Sequence, residues 1–287
     1  MARLHLAVTD SSTTSNKKFA KSFLGARFRS YFSSMMAGRE ENYRPPEEID
    51  YFEWKALLDS VENAANPYVM VDLGAGYGWW GINAAAALKG RNASARARII
   101  MVEGDANRYE YLQTAISDNP FPGISFDLVQ AAVGVAAGTD WFYTGRTKEW
   151  GGQRLMLEYH RDLLLQGREE HVRREGEILK TSDGYELVQV RVVPLEEILA
   201  DSSYVDLLDM DIQGTELEII QAARELIREK CRRLFISTHG DEIHADLLTL
   251  LTPDWDLVAS FPPHAIVETD VGNVQLLDGV QHWITRR

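Results

Sequence analysis

The chain has 287 residues, of which 45% are hydrophobic, and a formal net charge of −13. This composition is ample for a packed core, and the length fits one large domain or a core with an appendage. The acidic charge argues against nucleic acid as the main partner, because phosphate binding needs clustered Lys and Arg. With no apolar run long enough to cross a membrane and with Cys231 as the single cysteine, we expect a cytoplasmic protein.

The first 66 residues are expected to form an N-terminal extension with a mobile start and helices after it. Residues 17–32 interleave basic and aromatic side chains, a pattern that predicts a basic amphipathic helix. Such a helix could touch a membrane surface or an anionic substrate. The alternative is a lid or docking helix whose aromatic face packs on its own domain. A second helix is predicted over Glu47–Val61.

Strands and helices then alternate, which predicts one α/β domain over residues 67–287. The expected fold is a doubly wound, Rossmann-like parallel sheet closed by an antiparallel C-terminal strand pair. The predicted parallel strands are Val69–Leu73, Arg98–Val102, Phe126–Val133, Val205–Ile212 and Leu234–Thr238. The predicted helices are Trp79–Leu88, Asn107–Ser117, Thr215–Glu229 and Asp241–Leu251, and the antiparallel pair is Trp255–Ser260 with Val274–Thr285.

An insertion of about residues 138–194 separates the third and fourth strands and is too long for a simple crossover. Its densely charged middle, His160–Lys180, predicts an exposed helix or loop, and Glu186–Val193 alternates like a strand. The insertion begins at the carboxyl ends of the strands, where ligands bind in such folds. Trp150 and Gln153 are therefore candidates for acceptor recognition, with a β-ribbon edge that binds nothing as the alternative.

The segment Val69–Gly78 ends an apolar strand on a carboxylate and three glycines. Gly74, Gly76 and Gly78 permit φ > 0 and a close approach of a ligand to the main chain, with Tyr77 between them. Free N–H groups at the start of the next helix suit a carboxylate or phosphate. Asp72 could hold an ammonium group. A site with both polarities suits an amino-acid-like ligand, such as the methionine part of S-adenosylmethionine.

The same letters contain a second pattern, because Gly76–Gly81 satisfies the dinucleotide fingerprint G-x-G-x-x-G. In that fingerprint the first glycine directly ends the strand. Here the turn opens earlier, at Gly74, and the bulky Trp79 and Trp80 occupy the positions where a pyrophosphate needs room. The segment therefore favours a methyl donor over a nicotinamide dinucleotide.

The ends of the second and third strands predict a nucleoside site. Glu103 follows the glycine turn at a spacing suited to bind both ribose hydroxyls, and Gly104 and Asp105 continue the loop. Gln130 and Ala131 offer an amide and a small side chain near the expected adenine. Both dinucleotides and S-adenosylmethionine contain such a ribose, so these residues do not choose between them. Glu103 could instead cap the helix that begins near Asn107.

Three acidic residues mark the fourth strand: Asp206, Asp209 and Asp211. Together with the segments 71–78, 102–105 and 194–199, the motif Asp-Met-Asp-Ile-Gln-Gly-Thr-Glu at 209–216 resembles the FkbM-type methyltransferases. The resemblance covers about residues 51–238. In the usual signature Lys stands at the position of Asp209 and Glu at that of Gln213.

The resemblance implies a class I, S-adenosylmethionine-dependent enzyme that O-methylates a hydroxyl of a sugar or natural product. It also implies that Asp72, Gly74, Gly76, Glu103 and Asp211 line the donor site, with Gln213 next to it in the signature.

A hydroxyl acceptor benefits from a general base, and His239 ends the fifth strand on the same rim as Asp211. His239 is the candidate base, with Asp211 as its partner; the alternative is a histidine that caps the next helix. A Mg²⁺ ion held by Asp209, Asp211 and His239 is a weaker alternative. A nicotinamide-dependent oxidoreductase and a non-catalytic nucleoside-binding protein remain as other classes. The sequence leaves the oligomeric state open, with a dimer plausible.

Overall fold

The computed structural model describes residues 19–32, 50–144, 153–154, 172–181 and 186–286. The strands are β1 (Phe19–Lys21), β2 (Arg27–Arg29), β3 (Tyr68–Leu73), β4 (Ala97–Glu103), β5 (Ile124–Gln130), β6 (Ala132–Val133), β7 (Gly138–Tyr143), β8 (Gln153–Arg154), β9 (Val172–Glu175), β10 (Ile178–Thr181), β11 (Glu186–Val193), β12 (Leu207–Met210), β13 (Arg233–Thr238), β14 (Trp255–Phe261), β15 (Ile266–Thr269), β16 (Gly272–Gln275) and β17 (Gly279–Thr285). The helices are α1 (Tyr51–Glu62), α2 (Trp79–Arg91), α3 (Ala106–Asp118), α4 (Leu195–Ile198), α5 (Glu216–Ala222), α6 (Arg224–Lys230) and α7 (Asp241–Leu251).

A seven-stranded sheet in the order β5-β4-β3-β12-β13-β17-β14 forms the centre of the molecule. The pairs from β5 to β13 are parallel. β17 lies antiparallel between β13 and β14. The predicted doubly wound sheet and its antiparallel C-terminal pair are confirmed.

Both faces of this sheet are buried, which is why its strands read as nearly continuous apolar runs. Met70, Ile99 and Phe235 face the side covered by α1 and α2. Their neighbours along the strands face the opposite side, where α4 to α7 pack against residues such as Leu208 and Ile236. Each fully buried side chain of this size contributes about 1.5–3 kcal/mol. The two apolar layers fix the carboxyl ends of the strands at one edge.

Three predicted elements are divided in the structure. The strand predicted over Val274–Thr285 is split between the end of β16 and β17, and only β17 pairs with β14. The other two divide within an apolar pattern. The third predicted strand ends at Gln130, and Ala132–Val133 turns away to pair with β11 of a second sheet. The helix predicted over Thr215–Glu229 is two short helices that meet at Ala223. In both cases the apolar pattern continues across the break, so the sequence gives no signal of it.

The insertion forms a second sheet in the order β8-β7-β11-β10-β9. The strand predicted over Glu186–Val193 is confirmed with the same bounds. The prediction of an exposed helix or loop at His160–Lys180 is wrong for its described part, because residues 172–181 form an antiparallel hairpin. Gly176 takes a φ of 65° in the hairpin turn, and Leu179 is buried against Tyr143.

The helix predicted over the basic aromatic segment is wrong for residues 19–32, which form the hairpin β1–β2. Arg27, Phe28 and Arg29 alternate with period two, so the aromatic ring is buried while the arginines lie at the surface. Arg29 Nε lies 2.7 Å from Asp118 Oδ2 of α3. The aromatic side does pack on its own domain, as the docking alternative supposed. Among the described residues no helix is long and apolar enough to cross a membrane.

Candidate active site

The turn after β3 is held in a left-handed conformation by its glycines. Gly74, Gly76 and Gly78 have φ angles of 86°, 56° and 85°. The N–H groups of Gly74 and Ala75 both donate to the Val102 carbonyl at 3.0 Å. At Gly74 a Cβ would overlap the main-chain oxygen of Asp211. The turn is therefore closed against β12, with the start of α2 directly after it.

Glu103 supports this turn from the end of β4. Its Oε2 accepts from Gly76 N at 2.7 Å and its Oε1 accepts from Asp105 N at 2.7 Å. Burial raises the pKa of Glu103 to about 7. The structure therefore places Glu103 at the glycine turn; its predicted binding of ribose hydroxyls stays a prediction. The alternative role, capping α3, belongs to Asp105, whose Oδ1 accepts from Asn107 N at 2.8 Å and from Arg108 N at 3.0 Å.

Asp72 lies at the other side of the turn, at the end of β3. It is buried, and its Oδ2 accepts from Gly81 N of α2 at 3.2 Å. Burial raises the pKa of Asp72 to about 7, against the smaller effect of that hydrogen bond. Two buried carboxylates on neighbouring strands thus flank one glycine turn.

Several predicted donor residues have packing roles. The Tyr77 ring packs against Phe28 and Phe32, with centroid distances of 5.8 and 5.9 Å. A Cβ at Gly78 would lie 2.5 Å from a methyl carbon of Leu112. A Cβ at Gly104 would lie 2.9 Å from the ring of Phe142. Internal packing therefore accounts for the lack of a side chain at Gly78 and Gly104, whether or not a ligand binds nearby.

Gln130 and Ala131 lie beside Glu103 at the same edge of the sheet. Gln130 is exposed and is the register partner of Glu103. Ala131 is buried, and its N–H donates to the Glu103 carbonyl at 3.1 Å. The structure therefore brings an exposed amide next to Glu103, and its predicted position near an adenine stays a prediction.

The second half of the site lies at the ends of β12 and β13. His239 Nε2 lies 3.3 Å from Asp211 Oδ1, and Gln213 Nε2 donates to the same oxygen at 2.7 Å. His239 Nδ1 lies 2.9 Å from Oε1 of the buried Glu216, and its Nε2 lies 3.7 Å from Asp278. Neither Glu216 nor Asp278 is assigned a role by the sequence analysis. Glu216 is part of the signature motif, whereas Asp278 lies in the loop between β16 and β17 with no motif around it.

These carboxylates determine the charge of His239. Burial alone would lower the pKa of the imidazole, but the hydrogen bond to Glu216 and the charges of Asp211, Glu216 and Asp278 outweigh it and raise the pKa to about 9. The ordinary histidine pKa of about 6.5 therefore does not apply. The alternative role as a helix cap is not observed, because α7 begins after Gly240 without a side-chain cap.

Asp209 does not join the His239 group. It is the register partner of Asp72 on the neighbouring strand and is buried. Within the described ranges, no three His, Cys, Asp or Glu side chains are arranged to hold a metal ion. Trp150 lies outside the described residues. The backbone of Gln153 pairs with that of Tyr143. The side chain of Gln153, like Trp150, is not among the parts of the chain that the structure describes.

The domain model of the Methyltransferase FkbM domain matches residues 72–256, which is well over half of the chain. The protein belongs to the FkbM methyltransferase family. A protein of Jannaschia sp. (strain CCS1) with the provisional name of methyltransferase is 26% identical over 277 residues, covering 93% of this chain and 92% of the relative.

Among solved structures, this FkbM family member is similar to Methyltransferase FkbM from Methylobacillus flagellatus KT, at 19% identity and a TM-score of 0.42. That match covers 75% of this chain, which spans 43% of the length of the solved chain. A SAM-dependent methyltransferase from Agrobacterium tumefaciens matches at 11% identity and a TM-score of 0.44, over 83% of this chain and 62% of its own. The family match makes the protein a methyltransferase, and its central sheet is the doubly wound α/β sheet described above.

Proposed function

We propose that this FkbM methyltransferase uses S-adenosylmethionine to methylate a hydroxyl group of a small molecule, such as a sugar or natural product. The observation that carries the proposal is the pairing of two half-sites at one sheet edge. Asp72 and Glu103 flank the glycine turn, and His239 and Asp211 lie on the next strands. Gly74 joins the halves through its contact with Asp211.

The donor half fits the two ends of S-adenosylmethionine. Glu103 lies at the end of the second parallel strand, where an acidic side chain binds ribose hydroxyls in such folds. Asp72 is buried, and no cationic side chain of the described residues is among the groups that shift its pKa. A cationic ligand group would therefore stabilise its charged form. When bound, the donor supplies an activated methyl group on a sulfonium. The chain has to align donor and acceptor and manage one proton.

His239 is proposed to take the proton of the acceptor hydroxyl. Glu216 holds the Nδ1 side of the ring at 2.9 Å, which leaves Nε2 for the acceptor side together with Asp211. A carboxylate that fixes the ring and stabilises the imidazolium is the arrangement that makes histidine an effective base. Because three carboxylates raise the pKa of His239 to about 9, the base is strong, but only a minor fraction is neutral at pH 7.

Three alternatives are less well supported. A nicotinamide oxidoreductase is not favoured by the family, and the bulky Trp79 and Trp80 follow the turn where a pyrophosphate would bind. A Mg²⁺-dependent version would need ligands around His239, both of whose ring nitrogens already face carboxylates. A non-catalytic nucleoside-binding protein would share the donor half and differ only in turnover.

Calorimetry with S-adenosylhomocysteine tests the donor half directly. Glu103→Ala should weaken binding by about 1.5–3 kcal/mol, the range for lost charged hydrogen bonds, and NADH should not bind. Mass spectrometry of hydroxylated metabolites incubated with donor then tests the acceptor class. Binding without any methylated product would favour the non-catalytic function, and equal binding by the variant would remove Glu103 from the site.

A further inference from the structure

A second carboxyl pair lies beside Asp72 and takes no part in the proposed chemistry. Glu53 of α1 lies within hydrogen-bonding reach of Asp209 of β12. Asp209 is 3% exposed. Its register partner on β3 is Asp72, so the two side chains lie on the same face of the sheet. Three carboxyl groups from three elements therefore meet under α1, next to the glycine turn.

Two oxygens of this pair have no partner among the described residues. Glu53 Oε1 and Asp209 Oδ1 are both buried, and neither makes a hydrogen bond within that part of the chain. Buried polar atoms in native proteins are almost always paired, and an unpaired one is costly. Two such acceptors in the same carboxyl pair indicate a missing donor group.

The charges around the pair indicate what kind of donor fits. Besides burial, the strongest effects on Glu53 come from Asp209, Asp50, Asp211 and Asp72, all of them acidic. Those on Asp209 include Asp72 and Asp211. Burial and these neighbours raise the pKa of both carboxyls well above the ordinary range. Without a ligand, the charged forms of both carboxyls are therefore disfavoured, while a bound cation would let them ionise.

We propose that Glu53 and Asp209, together with Asp72, bind the α-ammonium group of the methyl donor. The inference rests on the proposed function, since it assigns residues to the amino-acid end of the same donor. An ammonium carries three N–H donors and one positive charge, which match two unpartnered oxygens and a surplus of carboxylates. Asp209 stands where Lys is usual in the family signature. A lysine at this position could itself pair with the carboxylates. In this chain the ammonium group of the ligand takes that role.

Two ligands that differ in this group test the assignment. S-adenosylhomocysteine carries the ammonium, and 5′-methylthioadenosine keeps the nucleoside but lacks the amino-acid end. Their dissociation constants are measured by calorimetry at pH 7.5 with the full chain. In Glu53→Gln, which keeps the size of the side chain, S-adenosylhomocysteine should bind at least about tenfold more weakly, while 5′-methylthioadenosine binds as before.

Glu62→Gln is the matched control, because Glu62 is exposed at the end of the same helix; it should change neither constant. Asp209→Asn serves as the second variant if Glu53→Gln does not fold, with thermal unfolding as the check on each. An unchanged affinity for S-adenosylhomocysteine, or equal weakening of both ligands, overturns the inference. If the wild-type protein binds neither ligand, the proposed function fails instead.

Discussion

The main-chain oxygen of Asp211 fills the space in which a side chain at Gly74 would begin. The two residues come from neighbouring parallel strands, and the Asp211 N–H also donates to the Leu73 carbonyl at 2.9 Å. The glycine turn at Gly74 and the strand end at Asp211 are therefore in direct main-chain contact. A shift of the turn has to move the end of β12 as well.

Gly74→Ala should be strongly destabilising. The added Cβ meets backbone rather than a flexible side chain, and the residue needs a φ of 86°. We expect a loss of about 2 kcal/mol or more in the free energy of unfolding, by overpacking and backbone strain together. Urea unfolding followed by circular dichroism measures it.

Gly90→Ala is the control for this variant. Gly90 lies in α2 with open space around its Cα, and it is exposed. Alanine there should stabilise the helix by up to about 1 kcal/mol. Equal stability of Gly74→Ala and wild type would mean that the turn and β12 are not in contact as described.

His239→Ala should lower the methylation rate by roughly 10²–10⁴, the usual contribution of a general base. The wild-type rate should rise with pH up to about 9, because the carboxylates around His239 raise its pKa to about 9. The variant should lose that rise. Donor affinity, measured by calorimetry, should persist, since the base faces the acceptor.

EDTA distinguishes the metal-dependent version of this chemistry. Activity that is abolished by chelation and restored by Mg²⁺ would make His239 and Asp211 metal ligands. A pH–rate profile that is the same with and without the imidazole would remove His239 from catalysis.

Trp150→Ala tests acceptor recognition by the insertion. If Trp150 contacts the acceptor, the variant should raise the acceptor KM or lower kcat while donor affinity stays unchanged. Trp141→Ala is the contrasting change, because Trp141 packs in the small core of the second sheet and should lower the melting temperature. A loss of donor binding in Trp150→Ala, or unaltered kinetics, would make residue 150 a structural position.

The protein should become less stable as the pH rises from 6.5 to 9. His239 has a folded pKa of about 9 and an unfolded value of about 6.5. Its stabilising contribution is complete below pH 6.5 and is lost as the pH rises through 9. Asp72 and Glu103, with pKa values raised to about 7, act in the same direction only up to about pH 7, where the folded state still binds protons that the unfolded state has released.

Thermal unfolding at pH 6.5 and pH 9 measures this change. In His239→Gln the decrease should be smaller by up to about 3 kcal/mol, from 1.4 kcal/mol for each pKa unit. His264→Gln, at an exposed turn histidine, should keep the full decrease. Stability that is constant or rises over this window would show that the pKa of His239 is not raised in the folded protein.

The sequence predicts the sheet well because the sheet depends on local patterns. The donor half of the site stays a prediction, but the placement of its two acidic residues at one sheet edge follows from the same patterns. Asp72 and Glu103 each follow an apolar run that ends at one edge of a parallel sheet, so their meeting is a consequence of topology. The N-terminal hairpin is not predicted because its strands are short. Arg27, Phe28 and Arg29 alternate as in a strand, but three residues are too few for the period to be recognised.

The charge of the site could not be read from the sequence. Glu53 comes from a helix more than 150 positions before Asp209. Asp278 comes from the loop between β16 and β17. No spacing rule connects residues that meet only across packed elements. The pKa of His239 depends on these contacts between distant residues. The sequence alone therefore predicts only the ordinary histidine pKa of about 6.5.

The strand order has a consequence for the smallest piece of this protein that can fold. The family match ends at residue 256, yet β17 (Gly279–Thr285) lies between β13 and β14 and pairs with both. A fragment cut at the match would leave β13 as an open edge, with unpaired N–H and C=O groups that invite aggregation. It would also begin inside β3 and omit α1, which covers one face of the sheet. A fragment for expression should therefore span at least residues 50–286, well beyond the boundaries of family similarity.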